Sequence, residues 1–377
     1  MPENHLHIIS FNIPYPPNYG GVIDVFYKIK ALHSAGIKIH LHCFEYGREI
    51  PEALNKLCTE IYYYNRKTGL LSALSIAPYI VKSRKSEALL SNLLKDKHPI
   101  LFEGLHSCYY LNDKRLADRI KIYRESNIEH HYYYHLFRSE KNLFKRMYFL
   151  IASLKLRIFQ SILKHASLML VVSQSDAEYL KDKFPENEVI YLPSFHSNEE
   201  IILKQGKGEY VLYHGNLSVP ENEEAATFLT ENIFNDIEIP FIIAGLNPSD
   251  KLKKLISMYQ HINLIANPDD DSMNELISEA QLNILLTFQA TGLKLKLLNT
   301  LYRGRYCLVN SKMLAGTNLH SLCSIADTDN QLKIAVKQLF NLEFNNAEVQ
   351  KRKEILSENF SNKSNLNKLV NLIYKDK

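Results

Sequence analysis

The sequence predicts an α/β protein made of two Rossmann-like, doubly wound domains in tandem. Three observations lead there. Apolar runs of strand length alternate with helical spacing through most of the 377 residues. The alternation stops at a polar connector around 197–209 and then starts afresh. Apolar residues make up 46% of the chain, enough to fill two cores of ordinary domain size. Strands alternating with helices of about ten or more residues require right-handed crossovers, and these give a parallel sheet covered on both faces.

The opening HLHIISFNIPYPPNYGG reads as a strand from Leu6 to Phe11, a proline-marked loop, and Gly20-Gly21 before a helix over Val22–Ala35 that Gly36 closes. Further strands are predicted at Lys38–Phe44, Glu60–Asn65, Ile100–Glu103, Ile120–Glu125 and Ser167–Val172. In the second half the order is strand Tyr210–His214, helix Glu223–Glu231, strand Pro240–Ala244, helix Ser249–Tyr259, and strand Ile262–Ala266. Helix Ser272–Ala280, strand Leu282–Thr287, helix Leu293–Tyr302 and strand Tyr306–Asn310 follow. The expected domains are 1–197 and 198–345, with 346–377 read as two helices crossing back to the first domain. Such a pair leaves a central cleft where the carboxyl ends of the two sheets face each other, which is where open α/β sheets bind ligands.

Composition removes several classes. Glycine and proline number 13 each and no stretch repeats at a fixed period, so collagenous, low-complexity and solenoid readings fail. The five cysteines are far apart, odd in number and without a CxxC pair, which argues against both a disulfide framework and a zinc site and fits a cytoplasmic protein. Neither a signal peptide nor a transmembrane helix is expected, since the longest apolar run, Met147–Ala152, is far too short to span a bilayer. Residues 1–195 carry 26 Lys and Arg against 19 Asp and Glu, a net +7, and the remainder 19 against 22, a net −3. That excess is too weak for a nucleic-acid partner and comes without a basic aromatic stripe.

Several stretches resemble the family-4 group of retaining glycosyltransferases with the GT-B fold. VLYHGNLSVPENEEAATFL resembles the family's first strand and turn of the second domain, with Gly215 opening the phosphate-side loop, and FIIAG resembles its second strand ending in Gly245. INLIANPDDDSMNELISEAQLNILLTFQATGLKLKLLNTLYRGRYCLVN resembles the following strand, helix, strand and nucleotide-binding helix in order. In the first half, Gly20-Gly21 resembles the family's glycine-rich loop, and LVVSQSDAEYLKDKF with YLPS its last helix and hinge. A Gly-Gly pair before a helix is also an ordinary turn.

The resemblance implies a metal-independent transfer of a hexose from a nucleoside diphosphate sugar to a glycan or lipid-linked acceptor. No cofactor is expected beyond that co-substrate. An enzyme of this kind must supply donors and cations to a diphosphate whose negative charge grows as the glycosidic bond breaks. The helix opening at Gly292 offers free N–H groups and a positive dipole end, with Leu293, Lys294 and Lys296 in its first turns. Lysines two apart point to different sides; Lys296 falls where the related pattern G-x-x-x-K-x-L-E places its cation. Relatives carry two glutamates eight positions apart where this chain has Thr291 and Asn299, so a charge-assisted bond to the ribose is replaced by an amide. The turn after the first strand has Asn216 and PEN in place of an Arg and Lys pair, and base contacts are expected around Ile265–Pro268, including Asn267.

On the acceptor side, IYRESNIEHHYYYH places Asn127, Glu129 and His130 after the fifth strand, where relatives present a histidine and this chain has Ser126. LFEGLHS places Glu103 and His106 at the edge of the fourth strand. Front-face transfer needs no carboxylate pair, because the leaving phosphate takes the acceptor's proton. Residues 138–164 carry seven Lys or Arg against Glu140, interleaved with apolar residues, and read as a basic amphipathic helix. Two readings stay open: the helix packs its apolar stripe on the sheet, or it lies on anionic lipid as a peripheral membrane contact. The alternatives to sugar transfer are a non-catalytic nucleotide-sugar-binding protein and a sugar-nucleotide epimerase on the same fold.

Overall fold

The computed structural model describes residues 3–69, 75–288 and 295–374. Two compact units emerge: the first is the described chain up to Ser197 together with Phe360 onward, and the second is the described chain from Asn198 to Asn359.

The first unit holds seven strands: β1 (His5–Ser10), β2 (Lys38–Glu45), β3 (Glu60–Asn65), β4 (Ile100–Glu103), β5 (Lys121–Glu125), β6 (Leu168–Val171) and β7 (Glu188–Tyr191). They lie in the order β3-β2-β1-β4-β5-β6-β7, and every pairing is parallel. Period-two alternation sorts the faces. Leu6, Ile8, Ile39, Leu41, Leu101 and Ile122 point to one side, where they meet Val25, Ile29 and Leu32 of helix α1 (Gly20–Ser34). Ile9, Phe44, Phe102, Tyr123 and Met169 point to the other, against α2 (Tyr79–Lys82), α3 (Glu87–Leu93) and the helices that follow. β7 has no counterpart in the sequence reading, because EVIY is only four residues long and half-polar.

The basic stretch differs from the single helix expected over 138–164. Helix α4 (Glu129–Ser139) ends before Glu140, and α5 (Leu143–Phe159) starts anew with Asn142 accepting from Phe144 N and Lys145 N at 3.1 Å each. An asparagine caps a helix because its carboxamide satisfies N–H groups that have no intrahelical partner. A 3₁₀ turn, Gln160–His165, closes the segment, and α6 (Gln174–Lys183) follows β6.

The second unit repeats the plan with β8 (Val211–Asn216), α7 (Pro220–Phe228), β9 (Phe241–Leu246), α8 (Asp250–Ile256), β10 (Ile262–Ala266), α9 (Asp270–Glu279) and β11 (Leu282–Leu285). Then come α10 (Leu295–Arg303), β12 (Tyr306–Val309), α11 (Ser311–Leu314), β13 (Ser324–Ile325), α12 (Asp329–Asn341) and α13 (Asn346–Asn359). The parallel order is β10-β9-β8-β11-β12-β13. α12 was not read from the sequence, although Thr328 and Gln331 form a capping box at its start.

The expected return of 346–377 divides at Phe360. α13 stays with the second unit, where the buried Arg352 guanidinium donates to the carbonyls of Leu301, Gly304 and Arg305. The last helix, α14 (Asn362–Tyr374), belongs to the first unit: Leu369 and Ile373 enter the core beside α1, and Tyr374 Oη donates to His5 O at 2.8 Å.

Candidate functional site

In a doubly wound sheet the strand order reverses between two neighbouring strands, and the loops at their carboxyl ends part to leave a crevice. The reversal falls between β1 and β4 in the first unit and between β8 and β11 in the second.

In the second unit, the turn after β8 is built by close packing. A Cβ on Gly245 would sit 1.9 Å from Gly215 O, so only glycine lets the two turns meet, and one on Gly215 would press the Asn222 carboxamide at 3.3 Å. Asn216 Oδ1 accepts from Ser218 N and Ser218 Oγ at 3.1 and 2.7 Å and shapes the turn. Asn222, in the first turn of α7, ties the region together. Its Nδ2 donates to Asn216 O at 2.9 Å, its carbonyl accepts from Tyr213 Oη at 3.0 Å, and its Oδ1 accepts from Lys296 Nζ at 3.1 Å. Lys296 Nζ also lies 5.5 Å from the Tyr213 ring centroid. Beneath it, His214 Nε2 pairs with Thr300 Oγ1 at 2.9 Å, and burial, aided by the Lys296 charge, pushes His214 down to about 3. A neutral His214 adds no positive charge beside the lysine.

Glu221 reaches the end of β11, where its Oε1 accepts from Thr287 Oγ1 and from Phe288 N at 3.1 Å. Asn267, at φ 54°, spends its Oδ1 on Asn247 N at 2.7 Å, which joins the loops after β9 and β10. Asn299 turns toward α9, with Nδ2 3.5 Å from Asn274 Oδ1 and with a buried Oδ1 that has no hydrogen-bond partner among the described residues. Thr291, Gly292, Leu293 and Lys294 lie outside the described residues.

In the first unit, α1 begins at Gly20 after an extended Tyr19 that makes no side-chain cap. Its first N–H groups are therefore left for another acceptor. Gly21 leaves room for the Phe11 ring, whose Cζ would lie 2.7 Å from a Cβ there, and the same Phe11 ring lies 5.4 Å from the ring of His106. Gly104, at φ 68°, lets the chain turn sharply after β4 and sets His106 next to it. His106 Nδ1 lies 3.6 Å from Glu129 Oε1 and is itself shielded from solvent, while 21% of the His106 side chain remains exposed. Burial raises the Glu129 carboxyl to about 8, with the Arg84 charge pulling the other way. Burial, with the Arg84 and Arg66 charges, holds His106 well below its usual range. At neutral pH the pair is therefore a neutral acid beside a neutral imidazole, in which the carboxyl can donate and the imidazole can accept.

The structure thus brings together His106 and Glu129 but not the other two acceptor candidates. Asn127 is fixed by its backbone N–H donating to Glu125 Oε1 at 2.9 Å. His130 faces the other way, 3.5 Å from Tyr179 Oη, and burial lowers it to about 4. Glu103, expected at the open edge, is buried on Lys28 Nζ at 2.7 Å. Lys28 also meets Asp24 at 2.9 Å, and Arg124 holds both Asp24 oxygens at 3.0 Å while donating to the carbonyls of Leu192 and Pro193. Two acids and two bases sealed together anchor the segment after β7 and touch no open surface. Asn222, Glu221 and His214 were missed as participants. Glu221 and Asn222 left a trace, as the Glu and Asn of the Pro-Glu-Asn run, and His214 none.

Two parallel sheets of seven and six strands, each reversing its order between two neighbouring strands, define the GT-B fold. TarM matches with a TM-score of 0.70 at 12% identity, covering 98% of this chain and 99% of that one. An S. aureus TarM mutant in complex with fondaparinux, α-GlcNAc-glycerol and UDP matches with a TM-score of 0.67 at 11% identity, over 99% and 100% of the two chains. The E. coli protein bound with UDP-2-fluoro glucose matches with a TM-score of 0.65 at 10% identity, over 98% and 99%. At these identities the likeness is one of fold. In sequence, an uncharacterized 44.6 kDa protein in the cps region of Klebsiella pneumoniae is 28% identical over 333 residues, or 82% of this chain and 84% of that protein. No family model matches the chain.

Proposed function

We propose that this chain is a retaining glycosyltransferase that takes a hexose from a nucleoside diphosphate sugar and passes it to a glycan or lipid-linked acceptor in polysaccharide synthesis. The observation that carries the reading is the position of Lys296. It is tied to Asn222 beside the glycine turn at the second sheet's reversal point, with no competing charge from His214. The neighbours with UDP and UDP-2-fluoro glucose bound support a nucleotide-sugar donor, and the cps-region relative supports a polysaccharide context.

In this reading the bond from the anomeric carbon to the diphosphate oxygen breaks while the acceptor hydroxyl attacks from the same face. The departing phosphate oxygen takes the acceptor's proton. Lys296 and the turn at Gly215 and Gly245 offset the charge that develops on the diphosphate, with no metal ion. His106, with its Nδ1 turned to the protonated Glu129 carboxyl, carries its ring proton on Nε2 and donates a hydrogen bond to a sugar or acceptor oxygen. Asn299, whose Oδ1 has no partner among the described residues, turns from α9 to accept from the ribose in place of an acid.

A lipid-linked acceptor is favoured by the outer face of α5. Phe144 is 90% exposed, Ile158 74% and Leu143 72%, with Met147, Ile151 and Leu154 about half exposed, so the stripe is not spent on the sheet. Lys145, Arg146 and Arg157 lie among them, and a basic helix with an uncovered apolar face binds anionic lipid. Among the described residues no helix is long and apolar enough to cross a membrane.

The test is incubation of the purified chain with radiolabelled UDP- and GDP-hexoses and a lipid or polysaccharide acceptor fraction, followed by NMR of the product's anomeric configuration. The proposal expects label in the acceptor with the donor's configuration kept. Donor binding without transfer or hydrolysis would point to a non-catalytic binding protein.

A further inference from the structure

At the amino-terminal edge of the first sheet, far along the strands from the crevice, histidines crowd together. The alternation in HLH and IHLH puts His5, His7, His40 and His42 on one face of β1 and β2, in the register His7 to His40, and His98 joins them from the lead into β4. The inner pair is fully engaged: His7 Nδ1 meets His42 Nε2 at 2.8 Å, His7 Nε2 meets Asp96 at 2.9 Å, and His42 Nδ1 meets Tyr64 Oη at 2.8 Å. The outer three differ. His5, His40 and His98 each present a ring nitrogen, and the three nitrogens lie within 4.8 Å of one another. His98 makes no ring hydrogen bond among the described residues, and its ring stacks on His5 with centroids 4.3 Å apart.

We infer that His5, His40 and His98 form a binding site for a divalent transition metal of the zinc class, separate from the sugar-transfer site. Three imidazoles suit such ions, and a tetrahedral site with metal–nitrogen bonds of about 2.0–2.1 Å separates its nitrogens by roughly 3.3 Å. His5 Nδ1 and His40 Nε2 are now 2.9 Å apart with their rings 20° from parallel, and His98 stacks on His5 at 9°, so on binding the pair opens and all three rings turn to aim their nitrogens at one point. The outer shell is in place. His40 Nδ1 lies 2.8 Å from Glu60 Oε2, a contact that fixes the proton on Nδ1 and leaves Nε2 as the ligand atom. His5 Nε2 lies 3.8 Å from Glu3 Oε2, which can hold the proton displaced from Nδ1 when a metal replaces the His5–His40 hydrogen bond. The fourth position falls to water. A metal here clips the starts of β1 and β2 to the lead into β4, so its effect is on stability and not on sugar transfer.

The test is calorimetry of the full chain, freed of metal by chelator, with Zn²⁺, together with the absorption spectrum of the Co²⁺ form. One equivalent of Zn²⁺ should bind, and the thermal midpoint should rise. H5Q and H98Q, both at half-buried positions, should each weaken binding at least tenfold, E60Q about tenfold, and H33Q, at an exposed helix position, not at all. Absence of stoichiometric binding, or binding undiminished in folded H5Q and H98Q, overturns the site. If either variant unfolds, the wild-type Co²⁺ spectrum decides. An intense band of tetrahedral nitrogen coordination supports the site, and the weak spectrum of the aquo ion overturns it.

Discussion

In the proposed donor site, Lys296 and Asn222 are the side chains on which diphosphate binding rests. The hydrogen bond to Asn222 holds the ammonium next to the glycine turn, and hydrogen bonds to charged groups contribute about 1.5–3 kcal/mol. K296A should therefore weaken nucleotide-sugar binding by roughly tenfold to a hundredfold in calorimetry, with the thermal midpoint little changed. Gly245 has the opposite character. A methyl group there has no room against Gly215 O, and G245A should cost at least about 1–3 kcal/mol in urea unfolding. Glu129 gives a pH signature. Its folded-state value near 8, against 4.5 when free, means that the folded chain keeps a proton the unfolded chain has lost between those limits. The stability contributed by the neutral carboxyl is full below 4.5 and is lost as pH rises toward about 8. E129Q should flatten that part of the profile of urea midpoint against pH. The sequence made Lys296, Gly215 and Gly245 legible because a lysine in a helix's first turn and a glycine ending a strand are local features. It hid the Glu103–Lys28–Asp24–Arg124 cluster and the turning away of His130, because both depend on contacts made across the folded sheet.

At the scale of elements, strands and helices followed from periodicity wherever a strand carried a long apolar run. β7 and β13 did not, since EVIY is half-polar and a two-residue strand carries no alternation to separate it from a loop, whereas the equally short but apolar β4, β6 and β11 were legible. The basic region shows the same limit. Charge and apolar spacing pointed to a helix, but the break at Glu140 to Asn142 depends on a cap that spacing alone does not reveal. The exposure of α5 turns its composition into a prediction. Flotation with liposomes containing anionic lipid should carry the protein upward, neutral liposomes should not, and reversing the charges at Lys141, Lys145 and Arg146 should abolish flotation without changing the fold. Equal partitioning under all of these conditions removes the membrane contact.

At the scale of the whole molecule, the first unit is completed by the last segment of the chain. α14 buries Leu369 and Ile373 beside α1, while Asn365 and Tyr374 bond to Pro193 and His5. L369A should cost about 2–5 kcal/mol, read as a lower unfolding midpoint of the first unit. The two-sheet plan was plain from the sequence because the strand-and-helix rhythm restarts near residue 200, and a restart of that kind is visible without any contact information. The central claim is that the second unit's reversal point binds a nucleoside diphosphate sugar through Lys296 and the Gly215–Gly245 turn. Calorimetric titration of the full chain against a panel of UDP- and GDP-hexoses, run side by side with K296A, tests it most directly. Saturable binding of at least one donor at one site per chain is expected, weakened tenfold or more by K296A. A folded protein that binds none of them, or binds one equally well without the lysine, would contradict it.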